Sequence, residues 1–214
     1  MPVDNTKIIK SQLRFSSPDM FYLVELISRR KDIPGLEKAQ KYHGAYYLTS
    51  AAEEHLDGIF AEIKERCDAL KCRAYVNLNP KSMRRWATQM IRQLAEGLDN
   101  GQFRNPYALC DSAAAKSTTP SEERTFLFDV DDPDPEVSRQ VCDRLMAYYA
   151  QLKPKSSPAE TRLPSEPVRC VTKTPNGWHI ITYPVPLRPE FTESLPDCVE
   201  IKHNSPTVLY ASCI

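Results

Sequence analysis

Asp129 and Asp131 close an apolar run, Phe126-Leu127-Phe128-Asp129-Val130-Asp131-Asp132. On an extended strand, positions i and i+2 share a face, so this spacing delivers two carboxylates together at a strand end. Side by side, two carboxylates repel and raise each other's pKa unless a cation joins them. Their hard oxygens suit Mg²⁺ or Mn²⁺, which take one or two protein carboxylates and complete their shell with water and phosphate. The competing reading is a strand end that runs into a solvated acidic turn, because Asp132-Pro133-Asp134-Pro135 is turn chemistry.

A second stretch, Thr172-Lys173-Thr174-Pro175-Asn176-Gly177-Trp178-His179, bears on the choice. Pro-Asn-Gly signals a turn between two strands. Gly177 and His179 are again i and i+2, and with no side chain at 177 a ligand can approach His179 across that face. A histidine beside a metal-bound phosphate can donate to a phosphate oxygen. The alternative is a histidine packed in a sheet with its nitrogens satisfied. Two further acids, Asp197 and Glu200, lie in the tail Leu195-Pro196-Asp197-Cys198-Val199-Glu200-Ile201-Lys202.

The elements that must position these residues are legible around them. Strands are expected over 20–27, 44–49, 73–78, 168–173 and 178–183, with a terminal pair within 198–211. Ser50 with Glu53 forms an S-x-x-E capping box and opens a helix carrying Leu56, Ile59, Phe60, Ile63 and Cys67 at helical spacing. After a turn and cap at Asn79-Pro80-Lys81-Ser82, a second helix carries the stripe Trp86, Met90, Leu94, Leu98 and stops at Asn100-Gly101. Residues 104–123 read as a long connection. Residues 136–151 form a helix with Val137, Val141, Leu145 and Tyr149 on one face, and the Pro/Ser-rich stretch 153–167 is an exposed loop. Strands alternating with helices favour layered α/β architecture.

With 214 residues and 41% apolar content, the chain can bury a real core. Its 28 basic and 28 acidic residues cancel, so any surface for a polyanion must be local. Seven cysteines with no C-x-x-C argue against a zinc knuckle; their odd count and the polar start of the chain lead to the expectation of a reducing cytoplasm. No run approaches the roughly 20 apolar residues of a membrane span.

Taken together, the motif stretches resemble the archaeo-eukaryotic primase (primase-polymerase) superfamily, in the form of its small phage and bacterial catalytic cores. The superfamily has an apolar run ending in D-x-D, matched by Phe126 to Asp131. It has a small residue, any residue and then His, matched by Gly177-Trp178-His179. It also has an acid after an apolar residue, shortly before a final strand pair. Asp197 is the first choice there, by its distance to Thr207-Val208-Leu209-Tyr210, with Glu200 the fallback.

The resemblance implies a single α/β (α+β) catalytic domain over 1–214. It would have an N-terminal α/β half (1–103), a connecting loop (104–124), and a motif-bearing half (125–214) built on an RRM-like mixed, mostly antiparallel sheet. It implies a nucleotidyltransferase that adds nucleotides from triphosphates to a 3′-hydroxyl on a single-stranded DNA template, with a helicase or accessory primase subunit as a possible partner. Asp129, Asp131 and Asp197 would hold two Mg²⁺ or Mn²⁺ ions. His179, Gly177, Lys173 and Lys202 would bind the nucleotide, and Arg73, Lys81, Arg84 and Arg85 the template phosphates. Two rivals are a non-catalytic nucleotide- or nucleic-acid-binding module on a degenerate core, and a metal-dependent phosphoesterase using the same D-x-D. A dehalogenase-type phosphatase wants Thr four residues beyond the first Asp, where this chain has Pro133.

Overall fold

Apolar residues at every second position phase the central strand of the motif-bearing region. Phe126, Phe128 and Val130 point to one side, leaving Leu127 and Asp129 on the other. The computed structural model describes residues 2–102, 105–117, 124–152 and 166–212. Its elements, in chain order, are β1 (Val3–Asp4), α1 (Thr6–Gln12), β2 (Met20–Arg29), β3 (Gln40–Thr49), a 3₁₀ turn (Ser50–His55), α2 (Leu56–Leu70), β4 (Arg73–Val76), β5 (Lys81–Ser82), α3 (Met83–Asp99), α4 (Pro106–Ala115), β6 (Phe126–Val130), α5 (Pro135–Leu152), β7 (Val168–Lys173), β8 (Trp178–Thr182), α6 (Pro189–Thr192), β9 (Val199–His203) and β10 (Thr207–Ala211). The fold is α+β. The chain divides into two units, 1–123 with 208–214, and 124–207.

The second unit is a four-stranded sheet in the order β7-β8-β6-β9. With α5 after β6 and the short α6 after β8, the chain runs βαββαβ, the split βαβ arrangement of ferredoxin-like folds. Its ladders are all antiparallel, so the expected mixed sheet is not mixed. One face carries the core: Phe128, Val130 and Ile180 pack with Val141 and Leu145 of α5 and Phe191 of α6. The acidic turn is partly consumed in starting α5. Asp132 Oδ1 accepts from Asp134 N–H at 2.8 Å, Asp134 Oδ1 accepts from Glu136 N–H at 2.9 Å, and Pro135 takes the first helical position.

The first unit is a six-stranded sheet, β1-β10-β4-β2-β3 with β5 added beside β2. Several elements differ from expectation. Ser50 and Glu53 form no capping box; they lie in the 3₁₀ turn that leads β3 into α2, and no side chain caps either helix start. The expected apolar positions Leu56, Phe60, Ile63 and Cys67 of α2 are nevertheless buried. Lys81 and Ser82 are more than a turn, since they pair with Phe21 and Met20. The stripe of α3 buries no residue; Leu94 and Leu98 are 53% and 57% exposed. The connection expected over 104–123 contains α4, started by Asn105, whose side chain accepts from Tyr107 N–H, with Pro106 next. The loop expected over 153–167 lies outside the described residues up to 165. The two closing strands are not a pair: β9 belongs to the four-stranded sheet and β10 to the six-stranded one.

Phe128 is fully buried at the centre of its cluster. Phe128→Ala removes a ring that nothing can replace, and should cost the protein about 3–5 kcal/mol. Urea unfolding checks this. A loss under about 1 kcal/mol would mean that the face is not a packed core.

Candidate functional site

The register of β6 builds the site. Asp129 pairs with His179 of β8 on one side and with Glu200 of β9 on the other. Alternation sends all three to the face opposite the apolar core. Lys202, two residues beyond Glu200, shares that face, and so does Thr172, the partner of His179 on β7.

The contacts follow. His179 Nε2 lies 3.2 Å from Asp129 Oδ1. Lys202 Nζ is 2.6 Å from Asp129 Oδ2 and 3.0 Å from Glu200 Oε2, bridging the two acids. Burial pushes the Asp129 carboxyl up, but hydrogen bonds from His179 and Lys202 outweigh it and hold the group well below the usual carboxylate range. Burial likewise pulls the Lys202 ammonium down, and its bonds to Asp129 and Glu200 more than reverse that.

His179 is 8% exposed and is held from behind. Its Nδ1 is 2.9 Å from Thr207 Oγ1, which is 2.8 Å from Thr172 Oγ1. An ionised Asp129 only accepts, so Nε2 carries the proton it donates. In the neutral ring, Nδ1 then accepts from the Thr207 hydroxyl, whose oxygen accepts from Thr172. Both threonines are buried. A hydroxyl on a strand carries no signature of its own in a sequence, so neither threonine stands out there.

Gly177 does something other than leave room for a ligand. A Cβ there would stand 2.0 Å from the Val130 carbonyl oxygen and 2.9 Å from Asp132 N. Only glycine lets the end of β6 cross this close, so Gly177 positions the segment that carries Asp131. Asp131 follows β6 by one residue and is exposed. Its N–H donates to Cys198 O at 2.9 Å, which extends the pairing and keeps position 131 in phase with Asp129.

The third acid differs from expectation. Glu200, not Asp197, stands in the row with Asp129. Asp197 is exposed in the turn that Val199 N–H closes onto Pro196 O, ahead of the strand and out of phase with Glu200. The core decides this, because Val199 and Ile201 pack inward and turn Glu200 and Lys202 outward. That alternation was the available signal. Lys173 also stays out of the row: it pairs with Trp178, on the other face, and its Nζ lies 5.7 Å from that ring's centroid.

The basic set of the first unit is not a single surface. Arg73 is 4% exposed and paired to Asp32. Lys81 is 1% exposed and donates to Ala115 O at 3.1 Å; burial pushes its ammonium down to about 8, against the opposing pull of Glu25. Arg84 and Arg85 are exposed at the start of α3. Asp19 already meets that helix end, since its Oδ1 accepts from Arg84 N–H at 2.9 Å and its Oδ2 from Ser82 Oγ at 2.8 Å.

Among the described residues no group of three or more His, Cys, Asp or Glu side chains is gathered to hold a metal ion. Two carboxylates gathered around one ammonium are what the site offers. Hard oxygens already arranged around a cation fit Mg²⁺ or Mn²⁺ in donor type. No helix among the described residues is long and apolar enough to cross a membrane. Comparison with protein-family models, curated proteins and solved structures gave no match.

Asp129, with its lowered pKa, adds stability that is complete above about pH 4 and is lost as pH falls toward its folded value. Asp129→Asn should therefore flatten the acid limb of a stability–pH curve between about pH 4 and pH 2. Urea midpoints across that range test this, and parallel limbs for both proteins would remove Asp129 from the acid response.

Proposed function

We propose that the chain is a divalent-metal-dependent nucleotidyltransferase of the primase-polymerase type, transferring nucleotides from a triphosphate to a 3′-hydroxyl on a single-stranded DNA template. The observation that carries this reading is the row Glu200, Asp129, His179 across three adjacent strands, on one face of an antiparallel sheet. Three motifs scattered along the sequence converge in one polar row on the face opposite the α5 core.

In this reading Asp129 and Glu200 hold the ion, and Asp131 adds a carboxylate at the rim. Bound there, Mg²⁺ or Mn²⁺ would supply Lewis-acid stabilisation of charge on the transferring phosphoryl group. His179 offers its Nε2 proton to a phosphate oxygen once Asp129 is otherwise engaged, while Thr207 and Thr172 fix the ring. Lys202 adds positive charge on the same face. In the first unit Arg73 and Lys81 serve packing, while Arg84 and Arg85 are exposed, as a phosphate contact would need.

One observation favours a second reading, nucleotide binding without transfer: Lys202 already pairs with both acids, where an ion would sit. One assay separates the two. Purified protein is incubated with single-stranded template, Mn²⁺ or Mg²⁺ and labelled nucleotides, beside a triphosphate titration. The transfer reading expects incorporation that Asp129→Asn abolishes. It also expects triphosphate affinity to fall about 10- to 100-fold in His179→Ala, the worth of one charge-assisted hydrogen bond. Binding with no incorporation under either metal would leave the binding module, and neither binding nor incorporation would reject both.

A further inference from the structure

Asp129 has two carboxylate oxygens, and each has a donor. Oδ1 faces His179 and Oδ2 faces Lys202. Each oxygen keeps a second lone pair, but a divalent cation bridging Asp129 and Glu200 would stand beside the ammonium and be repelled by it, so one donor must move aside. His179 is poorly placed to do so, since it is 8% exposed and its other nitrogen is tied to Thr207, itself bonded to Thr172. Lys202 is well placed: its side chain is 32% exposed, on a flexible four-carbon stem. Its second partner, Glu200, is 71% exposed, so that ion pair is screened by water and holds the ammonium only weakly.

We propose that Lys202 is a built-in counter-cation that occupies the divalent-ion position between Asp129 and Glu200, and that ion binding requires its displacement. The inference rests on the metal-dependent reading above and adds a regulation of that site. With Lys202 in place, the two carboxylates and the ammonium sum to one negative charge. With Lys202 swung out, they present two, and attraction for a divalent ion rises accordingly. The displaced ammonium is free to meet an anion arriving with the ion, such as a triphosphate. The free protein is thereby kept at low ion affinity until an anionic ligand captures Lys202, which couples the two binding events without a moving domain.

The test uses Mn²⁺ alone, with free ion counted by electron paramagnetic resonance. The full chain is compared with Lys202→Met, Lys202→Gln, Lys202→Arg and Asp129→Asn, after thermal melts confirm that each folds. Removing the ammonium should tighten Mn²⁺ binding about tenfold in Lys202→Met and in Lys202→Gln, which answers should Met disturb the fold. Lys202→Arg should stay near wild type, and Asp129→Asn should bind less than any of them. Equal or weaker binding in both Lys202→Met and Lys202→Gln, with the Asp129 dependence intact, would overturn the counter-cation role and leave the metal site standing. Mn²⁺ binding that ignores Asp129 in every variant would overturn the metal site and the counter-cation with it.

Discussion

β6 is held between β8 and β9 in a register that puts Asp129 opposite His179 and Glu200, and everything proposed for the second unit depends on it. A slip of one residue would send Asp129 into the core that Phe128, Val130 and Ile180 fill, and turn Phe128 to the polar face. Burying an unpaired carboxylate costs several kcal/mol, and the ring would lose its cluster, so the alternative registers are closed. The functional row is thus fixed by apolar residues on the far side of the same strand. Chemistry and packing alternate along five residues.

The half-buried position of Asp129 explains its company. A carboxylate withdrawn from water needs donors, and the sheet supplies two from opposite sides, the imidazole of His179 and the ammonium of Lys202. Each donor brings its own support, from Thr207 and Thr172 behind the histidine and from Glu200 beside the lysine. Gly177 contributes space alone, letting the backbone after β6 pass where a methyl group would collide. These are the marks of a preorganised polar surface. The same arrangement also sets the threshold an incoming cation must overcome.

Much of the second unit was legible in the sequence. The alternation in 126–131 gave β6, Pro-Asn-Gly gave the β7–β8 turn, and Val141, Leu145 and Tyr149 gave the buried face of α5. Asp129 and His179 could be chosen because polar residues interrupting apolar strands stand out. Distance along the chain favours Asp197, whereas the phase of Val199 and Ile201 favours Glu200, and phase is what a sheet obeys. Arg73 and Lys81 misled for another reason: charge is visible in a sequence, whereas burial against Asp32 or beneath the end of α4 is a property of the fold. The separate destinations of β9 and β10 were hidden for the same cause, since strand partners far apart in sequence leave no local trace.

The most direct test of the central claim is paramagnetic broadening by Mn²⁺ in the amide spectrum of ¹⁵N-labelled protein. Substoichiometric Mn²⁺ should erase first the amides nearest the row, those of Asp129, Asp131, His179, Glu200 and Lys202. Amides on the exposed side of α5, beyond the opposite face of the same sheet, such as that of Ala147, should persist. Broadening that begins elsewhere, or spreads evenly over the surface acids while Asp129 and Glu200 stay sharp, would contradict the account.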